Sequence, residues 1–170
     1  MGGQEAAQAV NRRLVGDVDV VFGNEEDFTA ALGFEVEGVD GNFARLDPAS
    51  FTKMMSEVTR PYPNVSIVAT TLRAVHSATR NDWSAICWAD GEVYRATDRP
   101  GLEVFDRVGG GDSFASGLIF GLLSGSDVQT AAEYGVAHGA LAMTTPGDTS
   151  MATAAEVIAL ASGASARIQR

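Results

Sequence analysis

The residues whose spacing carries the most chemistry are Asp106 to Leu123, DRVGGGDSFASGLIFGLL. Gly109, Gly110 and Gly111 lead into Asp112, and small and apolar residues follow. A strand ending near Asp106 and a helix starting at Asp112 leave several backbone N–H groups unpaired at the helix start, which makes an anion site. Glycine lets the backbone approach a phosphate closely, while Ser113, Ala115, Ser116 and Gly117 keep the first turns slim enough for a neighbour. Asp112 then reads in two ways. Taken alone it is a helix N-cap after a flexible turn. Beside an anion hole it is a general base, accepting a hydroxyl proton while the amides hold the charge developing on a transferred group. A dinucleotide fingerprint is excluded, because its third glycine would fall at Phe114.

The totals restrict the chemistry further. With 170 residues, 45% of them apolar and 20% charged, the chain reads as one soluble domain over 1–170. No apolar run approaches the roughly 18 residues of a membrane span, and the N-terminal MGGQEAAQAVNRRL has no apolar signal core, so a cytoplasmic protein is expected. Twenty-two acidic against 12 basic residues give a net charge of -10, which opposes nucleic acid and anionic lipid as partners. Lys53 is the only lysine and follows no glycine loop, which excludes a P-loop nucleotidase and a protein kinase. Cys87, the single cysteine, sits in the strand-like WSAICWA and reads as a buried, inert thiol.

The elements that must position the glycine segment follow from periodicity. A polar helix over about 3–14 precedes an apolar strand over 18–24, and NEEDFTAALGF reads as a short helix capped by Asn24. A helix from Pro48 to Thr59 and a strand over 65–72 come next. Residues 83–90 and 92–97 form a hairpin across Asp90-Gly91, and a strand over 102–106 enters the glycines. Helices over 112–124, 127–143 and 153–162 close the chain. This alternation predicts an α/β domain on a mostly parallel sheet, with the loops at 23–27, 72–80 and 106–112 sharing one edge.

The segment Asp106 to Ile119 resembles the second signature of the ribokinase-like (PfkB) carbohydrate kinases, DTxGAGDxFxAGxx. The resemblance implies a three-layer α/β/α fold, with ATP, Mg2+ and a monovalent cation such as K+ as cofactors. It makes Asp112 the catalytic base and the amides of Gly109, Gly110 and Gly111 the anion hole for the γ-phosphate. Asp106 matches an aspartate near the monovalent-cation loop. Arg107 and Val108 replace the usual threonines, and an arginine there suits a substrate with its own carboxylate.

Other segments extend the resemblance. GNEEDF looks like the N-x-x-E motif, implying that Asn24 and Asp27 act through water on magnesium with Glu26 nearby; read alone, it is a cap with dipole-matched acids. ATTLR matches a nucleotide-contacting strand end, which implies Thr71 and Arg73 beside ATP, with VHSATRNDWSA in place of the family's glycines. His138 and Gly147 are implied to line the nucleotide site; read alone, they are a half-buried helix histidine and part of a turn that caps the last helix. His76 and Arg80 read as solvated loop residues. The ensemble is most similar to the 2-keto-3-deoxygluconate kinases, which implies a sugar or sugar acid as substrate.

The match covers the carboxyl-terminal half of the family's length, so the fold is expected to be truncated on its N-terminal side, without the lid and most sugar contacts. Association with a second copy or a complementary chain is expected, because a sheet that begins at VDVVFGN lacks neighbours. Two functions stay open: a sugar-acid kinase (or one for fructose or ribose), and a non-catalytic nucleotide-binding or dimerising fragment.

Overall fold

The structure is a computed structural model that describes residues 3–23, 27–33 and 48–163. Its helices are α1 (Gly3–Val15), α2 (Pro48–Thr59), α3 (Gly110–Leu123), α4 (Val128–Met143) and α5 (Ala154–Ala161), with a π-helical turn at Phe28–Leu32. Its strands are β1 (Val20–Phe22), β2 (Ile67–Ser77), β3 (Arg80–Ala89), β4 (Glu92–Arg95) and β5 (Arg99–Glu103). The strands order as β1-β2-β3-β4, with β5 also on β3, in a mixed sheet. Two compact units divide the chain, Met1–Thr70 with Cys87–Val93 and Thr71–Ile86 with Tyr94–Arg170.

In the first unit, β1 pairs parallel with β2, Val20 opposite Ile67 and Phe22 opposite Ala69. Parallel pairing wants both faces covered, and the run VSIVAT is apolar enough to accept that, with Val68 and Ala69 fully buried. Helix α1 buries none of its residues. It is held instead by polar side chains that reach the ends of the π-helical turn. Gln8 Nε2 donates to Ala30 O at 3.1 Å, Asn11 Nδ2 to Ala31 O at 3.2 Å and Arg12 Nε to Leu32 O at 2.7 Å. Those carbonyls belong to the last residues of the turn, so the polar face of α1 does the work of a cap. Cys87 is fully buried, and burial pushes its thiol up to about 12, which fits the inert role expected of it.

In the second unit, β3 and β5 pair antiparallel, Arg80 opposite Glu103 and Asn81 opposite Leu102. The register breaks between Asn81 and Trp83, and there Asp82 Oδ1 accepts the N–H of Gly101 at 2.7 Å, restoring the bond the bulge removes. Three expectations move. The strand expected over 102–106 lies at Arg99–Glu103, because Phe105 N and Asp106 N turn away to Met143 O. The loop expected over 72–80 is strand: LRAVHS continues the alternation of β2, and the chain reverses at Ser77–Arg80. The hairpin at Asp90-Gly91 stands as expected, with φ 52° and 83°, the paired positive angles of a two-residue turn, but its second strand stops at Arg95.

Helices α3 and α4 carry the core of this unit. Phe114 and Leu118 on α3 and Ala131, Ala132, Val136 and Ala137 on α4 are buried. Full burial of a side chain such as Phe114 is worth roughly 1.5–3 kcal/mol. The helices touch backbone to backbone: a Cβ on Gly117 would stand 2.6 Å from Tyr134 O, and one on Gly121 2.7 Å from Ala131 Cα. Caps fix the ends. Asp127 takes the N–H of Thr130 at 2.7 Å, and Thr153 with Glu156 forms a capping box at α5. The cap of α5 is therefore Thr153, and the segment 146–150 is left free for another role. No helix among the described residues is long and apolar enough to cross a membrane.

Candidate active site

Helix α3 begins at Gly110, two residues earlier than expected. Its N-cap is Gly109 at φ 80°, a left-handed conformation that a side chain would strain, and no side chain caps the helix. Asp112 lies in the first turn, exposed, so the reading of Asp112 as N-cap is corrected: the left-handed Gly109 has taken that position. Its carboxylate is presented at a helix start that, among the described residues, no side chain caps. Such a start attracts anions through both the N–H groups and the helix dipole.

The three glycines differ in what surrounds them. A Cβ on Gly109 would stand 2.5 Å from Asp148 O, and one on Gly110 would stand 3.0 Å from Met143 Cγ. A Cβ on Gly111 would meet nothing within 4 Å. Gly109 and Gly110 are therefore glycine for the protein's own packing, whereas Gly111 leaves open space beside Asp112. Gly110 N faces Arg107 O at 3.4 Å, and Ser113 N closes the first helical bond to Gly109 O at 2.8 Å.

Asp106 is half-buried, and its Oδ1 accepts the N–H of Val108 at 2.9 Å, which shapes the turn into the glycines. Arg107 is exposed beside that turn. Gly147 has φ 95° in the segment that brings Asp148 O to Gly109. His138, on α4, is half-buried with Nε2 2.9 Å from Ser150 Oγ. Burial holds its pKa below the usual imidazole value, against the opposing influence of the Ser113 backbone, which raises it. The slim surface expected around His138 is already filled: Ala137 and Ala140 are buried, and a Cβ on Gly139 would stand 2.8 Å from the Trp83 ring and 3.0 Å from Gly110 O. Sequence reasoning missed Ser150 as the partner of this histidine. Ser150 lies 12 residues along the chain in a loop, and no periodic pattern reports such a contact.

The remaining candidates are placed as follows. Thr71 is half-buried and Arg73 exposed, both within β2 rather than beyond its end. His76 Nε2 lies 2.8 Å from Asp82 Oδ2, and the Gly101 N–H with this histidine holds the Asp82 carboxyl below its usual value. His76 is thus paired rather than merely solvated. The Arg80 guanidinium covers Gly101, where a Cβ would stand 3.1 Å from Nη2. Asp27, in the first unit, is exposed and lies against Gly23. Asn24 and Glu26 lie outside the described residues. Among the described residues no three His, Cys, Asp or Glu side chains gather as a metal cage.

A cavity of about 210 Å³ lies between β5, α4 and α5, walled by Leu102, Ala140, Leu141 and Leu160 with Arg99 at its side. Arg99 Nη2 donates to Leu160 O at 3.0 Å.

Comparison with known proteins places this geometry. The pfkB family carbohydrate kinase description matches residues 2–155. The solved 2-dehydro-3-deoxygluconokinase from Thermotoga maritima superposes with a TM-score of 0.84 at 40% identity, over 94% of this chain and 47% of that one. The acarbose 7(IV)-phosphotransferase of Actinoplanes sp. is 29% identical over 137 residues, 74% of this chain and 45% of that protein. The 5-dehydro-2-deoxygluconokinase of Bacillus subtilis is 45% identical over 51 residues, 30% of this chain and 15% of that protein. The chain thus spans about half the length of the solved relative and has its ribokinase-like α/β fold over that span. Because the family match runs from residue 2 to residue 155, through the glycine segment and the 146–150 segment alike, this chain belongs to the pfkB family of carbohydrate kinases.

Proposed function

We propose that the chain carries the nucleotide and base half of an ATP-dependent sugar-acid kinase, acting on 2-keto-3-deoxygluconate to give its 6-phosphate. The observation that carries this reading is the exposed Asp112 carboxylate beside a helix start that no side chain caps, with open space at Gly111. Asp112 accepts the proton of the sugar hydroxyl as its oxygen bonds to the γ-phosphorus, and the bond from phosphorus to the β-phosphate oxygen breaks, leaving ADP. The amides of Gly109 to Gly111 hold the phosphoryl oxygens, a positioning and neutralising role that suits a loose transition state. Arg107 is the proposed partner of the substrate carboxylate. Thr71, Arg73 and Gly147 are the proposed nucleotide-side residues. Mg2+ supplies charge neutralisation on the phosphates, with Asn24 and Asp27 its proposed contacts through water, and Asp106 stands on the proposed K+ side.

The alternative reading is a nucleotide-binding or pairing module that holds ATP without phosphorylating sugar. A phosphorylation assay on 2-keto-3-deoxygluconate separates the two. Wild type turns over and Asp112→Asn loses about 10²–10⁴-fold under the first reading, the usual contribution of a positioned base. Equal inactivity of the two, with ATP still bound, selects the second. Turnover of ribose or fructose without the sugar acid keeps the kinase and removes this substrate.

A further inference from the structure

We propose that the cavity between β5, α4 and α5 is a second binding site, separate from the glycine segment, for a small organic monocarboxylate with a ring-sized apolar body, held by the Arg99 guanidinium. Its walls come from 98–102, from 140, 141 and 144 and from 160, and none of them from 106–113 or 146–150. All of them belong to the second unit. Pro100, Leu102, Ala140, Leu141 and Leu160 make the lining mostly apolar, and Arg99 places one cation at its side. Such a lining suits a ligand with an apolar body and a single charged end. The volume is about 210 Å³. An apolar cavity of roughly 150 Å³ holds benzene, so a ring fits here with room for a carboxylate and little more.

Arg99 can receive that charged end. It stands opposite Trp83, at the bulge between β3 and β5. Its Nη2 donates to Leu160 O at 3.0 Å, which anchors the guanidinium on the last turn of α5 and leaves most of its N–H groups unused. Nε is buried and meets no acceptor among the described residues. No carboxylate among those residues forms an ion pair with Arg99. Asp98, which also lines the cavity, is held instead by Arg95 Nη2 at 3.0 and 3.3 Å. Glu133 Oε1 accepts the N–H and the hydroxyl of Thr97 at 2.8 and 2.9 Å. Burial lowers the pKa of Arg99 from its usual value, against the Glu133 charge, which raises it. A ligand carboxylate would supply a close counter-charge and accept in parallel from the fork. Thr144 fixes the orientation: its hydroxyl already donates to Ala140 O at 2.8 Å, so it has no hydrogen for an anion. The charged end therefore belongs at Arg99 and the body against Leu102 and Leu141. The net charge of -10 repels anions at a distance, so affinity here must come from these local contacts.

The site stands independently of the kinase reading. Benzoate is the probe, with benzamide as the same body without the charge and acetate as the charge without the body. In ¹H–¹⁵N NMR of the wild-type protein, benzoate is expected to shift amides within 98–102, 140–144 and 160 and to leave 109–113 in place; no shift in the first three overturns the proposal. Benzoate should bind about tenfold or more tightly than either control, the scale of a charge-assisted pair of hydrogen bonds, and equal affinities overturn it. Arg99→Gln is expected to lose that preference while binding benzamide as wild type does; a preference that survives overturns the role of Arg99. Leu141→Trp fills the cavity with Arg99 still present and is expected to lose both aromatic probes, and unchanged benzoate binding there puts the ligand elsewhere. Saturating ADP should leave the benzoate titration unchanged. Displacement by ADP makes the cavity part of the nucleotide site and overturns the proposal, whereas a wild type that takes benzoate but binds no ADP removes the kinase reading and leaves this site standing.

Discussion

The backbone carbonyl of Asp148 stands where a side chain on Gly109 would have to go, 2.5 Å from the position of its Cβ. Gly109 also has φ 80°, so Gly109→Ala meets two separate costs. Left-handed backbone costs a non-glycine residue roughly 1–2 kcal/mol, and overpacking against fixed backbone costs typically 1–3. Their sum predicts a loss of about 2–5 kcal/mol in urea unfolding, together with displacement of the 146–150 segment. A variant as stable as wild type would show that this segment is not held against Gly109.

Gly111→Ala is expected to behave in the opposite way. A Cβ there touches nothing within 4 Å, and alanine is a better helix former than glycine by up to about 1 kcal/mol. Stability should hold or rise slightly. If the open space is where phosphate oxygens sit, ADP affinity should nevertheless fall. Calorimetry and urea unfolding on the same sample check both, and unchanged ADP affinity removes Gly111 from the cradle.

Gly117→Ala tests the contact that positions α3. Its Cβ would lie 2.6 Å from Tyr134 O, and neither helix can move without disturbing Phe114, whose ring already lies against Gly135. A cost of about 1–3 kcal/mol is expected in urea unfolding, with α3 and α4 as the elements that lose exchange protection. A loss below about 0.5 kcal/mol would mean that the two helices separate freely.

How much of this was legible beforehand depends on whether local chemistry or distant contacts decided the outcome. The Asp-Gly turn, the starts of α2 and α4 and the slim face of α3 were readable, because each is set by residue types at short spacing. The end of β2 was misread, because LRAVHS has no glycine or proline to stop it and strand alternation simply continues. The start of α3 was misplaced at Asp112 because aspartate is the commoner cap; the structure uses the left-handed Gly109, which its contact with Asp148 demands. His138 could be singled out as a residue of interest, but its partner Ser150 lies in a loop 12 residues on, and only tertiary packing brings the two together. The polar docking of α1 was illegible for the same reason, since Gln8, Asn11 and Arg12 look like an ordinary solvated face.

Acid unfolding should proceed in two stages. Burial depresses the pKa of His138 from 6.5, so below about that pH the unfolded chain takes up a proton that the folded chain refuses, and stability declines. A second loss belongs to Asp82, Asp127 and Glu156, each held below its ordinary value of 3.8 or 4.5, chiefly by a backbone N–H bond to its carboxylate. For these three the folded form is favoured above the unfolded pKa, and the contribution disappears as pH falls through the folded values. Asp127→Asn keeps a competent cap without the charge, so it should weaken the second stage while leaving the first intact. Urea midpoints at pH 7, 5 and 3 check this: stability that is flat between 7 and 5 removes the histidine's share, and an Asp127→Asn curve parallel to wild type between 5 and 3 removes the cap's.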